Sequence, residues 1–320
     1  MISLISLLEE INSPKAIILG GGAGSGKTYI TNNLLGKIKG DIFIPKGSNI
    51  PFRYLNPDDI VEKENLDLGS AMVKFKELFN STKDQRENIL WDTTGSNVKN
   101  TLGQLDGYNK LMIMVYTHPI ISILQNFSRN RKLPLKAVIN TWNKVYGNIG
   151  EYKNLLGDNF ILIQNIIPGY EKDIKEFNQA ASQGKEALKQ YLDSLINSNP
   201  TKFDTTFRKE FNFDSEEIAT DFEGALNRSS YNEATDSDFL KQVKKDYQKA
   251  YQKINQSPGS AYINKRLEAA KKSSEKQQSN FYSDLDNIIS KLLSPEFKQI
   301  ITPNTESEVI SKLNQFINNG

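Results

Sequence analysis

Short apolar runs alternate with helix-period segments through the first half of the chain, and this rhythm stops near residue 169. Five runs have the length and flanks of buried strands: Ala16-Ile17-Ile18-Leu19, Phe52-Arg53-Tyr54-Leu55, Asn88-Ile89-Leu90-Trp91, Leu111 to Tyr116, and Phe160 to Gln164. Between them, Thr28–Lys37, Leu68–Phe79, Asn97–Leu105, Pro119–Asn130 and Leu135–Val145 carry apolar residues at helical spacing. Such strand–helix alternation with short connections predicts a three-layer α/β domain with a mainly parallel sheet, ending at Ile167-Pro168-Gly169. Beyond it, segments such as Glu171–Ile196 and Asp238–Ile254 have the pattern of polar helices. The expected division is therefore a domain of residues 1–168 and a mostly α-helical C-terminal region of residues 169–320. The residues before Lys15 read as a short amphipathic helix; Glu9, Glu10 and the lack of a basic start argue against a secretory signal.

Candidate chemistry begins where the first strand ends. Gly21-Gly22-Ala23-Gly24-Ser25-Gly26-Lys27-Thr28 satisfies GxxxxGK[ST], with an apolar strand before it and a helical pattern after it, which makes the α/β domain a P-loop NTPase domain. The glycines let successive backbone N–H groups turn toward phosphate oxygens. Lys27 is then expected to bridge the β- and γ-phosphates and the Thr28 hydroxyl to ligate Mg²⁺, so the expected cofactors are ATP and Mg²⁺. Asn56-Pro57-Asp58-Asp59 puts two carboxylates at the end of the second strand, where one can accept the proton of an attacking hydroxyl. Asp59 can equally cap the helix that begins Ile60-Val61-Glu62. Asp92, closing the third strand before Thr93-Thr94-Gly95, can hold the metal's water shell, touch the acceptor, or cap the next helix, as can Ser96. Ser128-Arg129-Asn130-Arg131-Lys132-Leu133-Pro134 concentrates two of the chain's seven arginines between two helices. Guanidinium groups there can neutralise a transferring phosphoryl group, or the segment can be a solvated helix end.

In this order and spacing, the four elements resemble the polynucleotide-kinase and zeta-toxin group of P-loop phosphotransferases, particularly the zeta-toxin-like kinases of tailed phages, over roughly residues 15–168. The resemblance implies that Asp58 is the general base and that Asp92 helps hold the acceptor. It also implies that Arg129 and Arg131 belong to an arginine-bearing lid, continued by Leu133-Pro134 and the Val138–Trp142 helix. The implied activity is transfer of the γ-phosphoryl group of ATP to a hydroxyl of a sugar nucleotide, a nucleoside or a nucleic-acid 5′ end. The chain departs from polynucleotide kinases at one point. Those enzymes carry an arginine within and just after the acidic pair, where this sequence has Pro57, Ile60, Val61 and Glu62.

Composition removes other chemistries. With no cysteine there is no disulfide, thiolate metal site or cysteine nucleophile, and the reducing cytoplasm is the expected location. The single histidine, His118, cannot form a multi-histidine metal centre and is expected to be structural, as Trp91 and Trp142 are expected to be core. No apolar run reaches the length of a membrane span. The net charge of +2 divides into about +4 over residues 1–170 and about −2 over the rest, without the basic footprint of a nucleic-acid binder. Two other functions stay open at this level. One is a P-loop ATPase that drives assembly or movement; the other is a non-catalytic nucleotide-binding structural protein. In both, the C-terminal helical region, open to a protein partner, would provide the working surface. The Tyr247 and Tyr251 pair, spaced i,i+4 among lysines, can stack on nucleic acid, but packing on a partner helix or in the core of this region is the expected role.

Overall fold

The computed structural model describes residues 13–64, 66, 68–128, 133, 135–198 and 280–318. All five expected strands form: β1 (Lys15–Gly20), β4 (Phe52–Leu55), β5 (Ile89–Asp92), β6 (Asn109–Tyr116) and β7 (Phe160–Gln164). They run parallel, in the order β4-β5-β1-β6-β7, within one seven-stranded sheet. The antiparallel pair β2 (Gly36–Lys39) and β3 (Ile42–Pro45) extends one edge and was not expected. The helix anticipated over residues 28–37 is instead α1 (Lys27–Ile30) with a π-helical turn at Thr31–Leu35. Gly36 starts the hairpin because a Cβ there would lie 2.2 Å from the Ile44 carbonyl oxygen, so only glycine permits the close strand approach.

Strand alternation divides the core into two faces. On one, Ile17, Leu19, Leu90, Ile113, Val115, Ile161 and Ile163 pack with Leu34 and Leu35 of the π-helical turn. On the other, Trp91 meets Phe75 and Phe79 of α3 (Leu68–Asp84). Tyr116 packs there against Trp142 and Tyr146 of α6 (Leu135–Gly147). Both tryptophans are core, as expected. The remaining helices of this half are α2 (Pro57–Glu64), α4 (Val98–Gly103), α5 (Pro119–Phe127) and α7 (Ile149–Leu156). The polar helix anticipated over residues 171–196 is two helices, α8 (Glu171–Ser182) and α9 (Lys185–Ser198), parted at Gly184, whose φ of +103° favours glycine.

The expected boundary at residue 168 is not where the structure divides the chain. One compact unit comprises Met1–Leu192 with Asp284–Gly320, and the second comprises Asp193–Ser283. The physical reason lies in α10 (Pro295–Ile300) and α11 (Glu306–Asn318). Val309, Leu313 and Ile317 form a stripe along α11 that is buried in the same cluster as Ile17 and Leu19, so α11 is a layer of the α/β domain. Phe297 of α10 joins Tyr116 and Trp142. Between these helices, Asn304 donates its N–H to the Leu162 carbonyl at 2.8 Å and accepts the Leu162 N–H on Oδ1 at 3.0 Å, covering the outer edge of β7. The ammonium groups of Lys153 and Lys15 donate to the Ile300 and Ile317 carbonyls at the ends of α10 and α11. The anticipated N-terminal helix, the Asp238–Ile254 helix and the Tyr247 and Tyr251 pair lie outside the described residues. Among the described residues no helix is long and apolar enough to cross a membrane.

Candidate active site

The glycine loop is shaped by what lies behind it. Gly24 and Gly26 have φ of +70° and +82°, in the region that favours glycine. A Cβ on Gly24 would stand 2.4 Å from the Ser122 carbonyl oxygen of α5, and one on Gly26 2.1 Å from Asn165 Nδ2. The loop therefore rests on α5 and on the turn after β7. Asn165 fixes that contact by donating Nδ2–H to the Ser25 carbonyl at 2.9 Å. Below Gly22, the buried Tyr146 hydroxyl donates to the Val115 carbonyl at 2.9 Å. Lys27 Nζ donates to the Gly21 carbonyl at 2.9 Å and lies 3.6 Å from Asp92 Oδ1. Strand register accounts for the pairing, since Asp92 stands directly across from Leu19, just before the loop.

The next strand over brings in the second acidic group. Pairing of Leu55 with Trp91 sets the Asn56–Asp59 turn beside Asp92. Asn56 caps α2: its Oδ1 accepts the Asp58 N–H at 2.9 Å, while Nδ2 donates to the Tyr54 hydroxyl at 2.8 Å and to Asp59 Oδ1 at 3.1 Å. Asp59 is thus not the cap, and its carboxylate is also 3.3 Å from Lys63. Nor do Asp92 or Ser96 cap α4, because Asn97 Oδ1 accepts the Asn100 N–H at 2.8 Å. Burial and the Asp92 charge hold the Tyr54 hydroxyl neutral, far above its ordinary range, and it donates toward Asp92. Asp92 itself is pushed up to about 6, chiefly by burial and further by the charges of Asp58 and Asp59, against the opposing pull of Lys27.

Lys27, Asp58, Asp59 and Asp92 therefore converge at the carboxyl edge of the sheet, where open α/β sheets bind ligands. Thr28 stands exposed in α1, just after the loop. Arg129 and Arg131 lie outside the described residues, but the ends of their segment are joined: Asn126 Nδ2 donates to the Leu133 carbonyl at 2.8 Å and its Oδ1 accepts the Leu133 N–H at 3.1 Å. His118 is structural. Its Nδ1 accepts the Ile120 N–H at the start of α5, its Nε2–H donates to Asn178 Oδ1 at 3.0 Å, and burial lowers its pKa to about 4, so the ring is neutral. Sequence reasoning passed over Tyr54, Asn56, Tyr146 and Asn165. Asn56 stood inside the acidic motif and Asn165 directly after a strand, whereas nothing local marked Tyr146.

Asp92 gives a pH signature. Its folded pKa is about 6 against an ordinary 3.8, so between these values the folded chain keeps a proton that the unfolded chain has released. That stabilising contribution is complete below the unfolded value and lost as pH rises through the folded one. Asp92→Asn removes the titration, so its stability relative to the unsubstituted protein should rise by about 3 kcal/mol between acidic and neutral pH. Urea melts of both proteins across that range measure the difference; a pH-independent difference would contradict the burial of this charge.

No protein-family model matches the chain, and no curated protein matches it. Among solved structures, the chain is similar to the sulfotransferase domain from the Synechococcus PCC 7002 olefin synthase, at 14% identity and a TM-score of 0.27, over 60% of this chain and 74% of that one. A likeness this slight bears on neither the fold nor the activity.

Proposed function

We propose that the protein is an ATP-dependent kinase that transfers the γ-phosphoryl group to a hydroxyl of a sugar nucleotide, a nucleoside or a nucleic-acid 5′ end. The observation that carries this reading is the convergence of three elements: a glycine loop, a lysine 3.6 Å from a buried aspartate, and a second acidic turn on the neighbouring strand. A nucleotide-binding site that only switches or assembles has no need of that second acidic turn. Lys27 exchanges its contacts with the Gly21 carbonyl and Asp92 for the β- and γ-phosphate oxygens.

The donor set suits Mg²⁺ shared with a nucleotide. Among the described residues no group of three or more His, Cys, Asp or Glu side chains could hold a metal alone. The Thr28 hydroxyl and Asp92 would hold it together with phosphate oxygens, as small hard cations prefer. When bound, the ion neutralises charge on the phosphates. Asp58 takes the proton as the acceptor oxygen bonds to the γ-phosphorus and the bond to the β-phosphate oxygen breaks, releasing ADP. Arg129 and Arg131 are assigned to the equatorial oxygens, and Asp92 also to the acceptor side. Most of the catalysis is positioning and charge stabilisation.

The test is ADP release from Mg-ATP with and without pools of nucleosides, sugar nucleotides and 5′-hydroxyl oligonucleotides. One pool should stimulate release at least tenfold, and Lys27→Ala should abolish it. Release that is equal in every pool would make the protein an ATPase instead.

A further inference from the structure

A cavity of about 410 Å³ lies at the carboxyl ends of β6 and β7, between α5, α8 and α10, and none of the catalytic roles above uses it. Its walls include Tyr116, Ile121, Ile174, Phe297 and Ile301. Two large apolar side chains that line it are conspicuously exposed, Ile166 at 74% and Leu293 at 50%. This is the size and chemistry of a small-molecule site, in which an apolar body displaces water and a few polar groups set orientation.

The polar lining narrows the ligand. His118 Nε2–H is committed to Asn178 Oδ1, and the Glu171 carboxylate already accepts the Gly169 N–H. The N–H donors that remain come from the Gln164 and Asn178 amides and the Lys298 ammonium. Glu171 keeps its negative charge while held on the Gly169 N–H, so the polar end of a ligand belongs at Lys298, and an apolar interior with donors and that cation suits a molecule whose one polar end accepts hydrogen bonds and carries negative charge. The cavity also shares a wall with the glycine loop, because Asn165 lines it and donates to the Ser25 carbonyl.

We infer that this cavity is a second ligand site, separate from the phosphate loop, for a small ring-bearing or aliphatic carboxylic acid, and that its occupancy reaches the loop through Asn165. The probes are 3-phenylpropionate and its uncharged analogue 3-phenyl-1-propanol, titrated by NMR into the full chain without nucleotide. The site therefore stands or falls independently of the phosphoryl-transfer reading. The acid should bind at millimolar concentration or below, at least about fivefold tighter than the alcohol. Lys298→Met, a change at an exposed position, should bring the two level, and Ile174→Trp, which fills the cavity from a half-exposed wall, should abolish both. The Gly24 and Gly26 amide resonances should shift with the same midpoint as the cavity residues. Absence of binding, or binding of the acid that survives both substitutions, would overturn the site. Unmoved loop resonances on a saturated cavity would overturn the coupling.

Discussion

Asp58→Asn is expected to lower phosphoryl transfer by about 10³-fold while leaving the affinity for Mg-ATP within about twofold. The amide has the shape of the carboxylate but cannot accept a proton from the attacking hydroxyl. The turn should survive, because it is held by the Asp58 backbone N–H on Asn56 Oδ1 rather than by the Asp58 side chain alone. Asp59→Asn is the informative partner. Its carboxylate is engaged by Asn56 and Lys63, so its loss should cost far less than loss of Asp58. Steady-state rates with a responsive acceptor, together with nucleotide titrations, separate the two. An unchanged rate in Asp58→Asn would remove this residue from the chemistry, and a larger loss in Asp59→Asn would transfer the role to its neighbour.

Removal of residues 303–320 should leave no soluble folded protein, although this segment is remote in sequence from the glycine loop. Val309, Leu313 and Ile317 are buried against the π-helical turn and β7, in a single cluster with residues of β1 and β6. At about 2 kcal/mol for each buried side chain, their loss forfeits about 6 kcal/mol, comparable with the whole stability of a typical domain. The truncation also exposes Ile17, Leu19, Ile113 and Ile161 and uncovers the edge of β7 that Asn304 occupies, which invites aggregation. Leu313→Ala is the milder form and should lower stability by about 3 kcal/mol. Sedimentation and thermal melts read both; a monomeric truncated chain with an unshifted Tm would show that α11 is not a layer of the domain.

The phosphate loop and the five parallel strands were legible because their signals are local. A strand of Ala16 to Leu19 followed by the glycine motif needs no distant residue for its interpretation, and Asp92 announces itself by ending an apolar run. The β2–β3 hairpin was lost because Leu34 and Leu35 continue a helical pattern up to Gly36, while Lys37-Ile38-Lys39 and Ile42-Phe43-Ile44 alternate over too few residues to outweigh it. The C-terminal helices failed differently. The spacing of Val309, Leu313 and Ile317 declares an apolar stripe, but a stripe does not say which sheet face it covers, nor that a lysine at position 15 meets the far end of that helix. At the site, Asn56 bonds Tyr54 and Asp59 within one turn, but that this turn stands beside the Asp92 carboxylate emerges only once β4 and β5 are paired.

The most direct measurement of the central claim follows the γ-phosphoryl group itself. With ATP labelled by ¹⁸O at the γ-phosphate and Mg²⁺ present, mass spectrometry of the acceptor pools should find the label on a hydroxyl of one compound, absent with Lys27→Ala and nearly absent with Asp58→Asn. Label recovered entirely as inorganic phosphate, at a rate no acceptor changes, would contradict the assignment of this site to phosphoryl transfer.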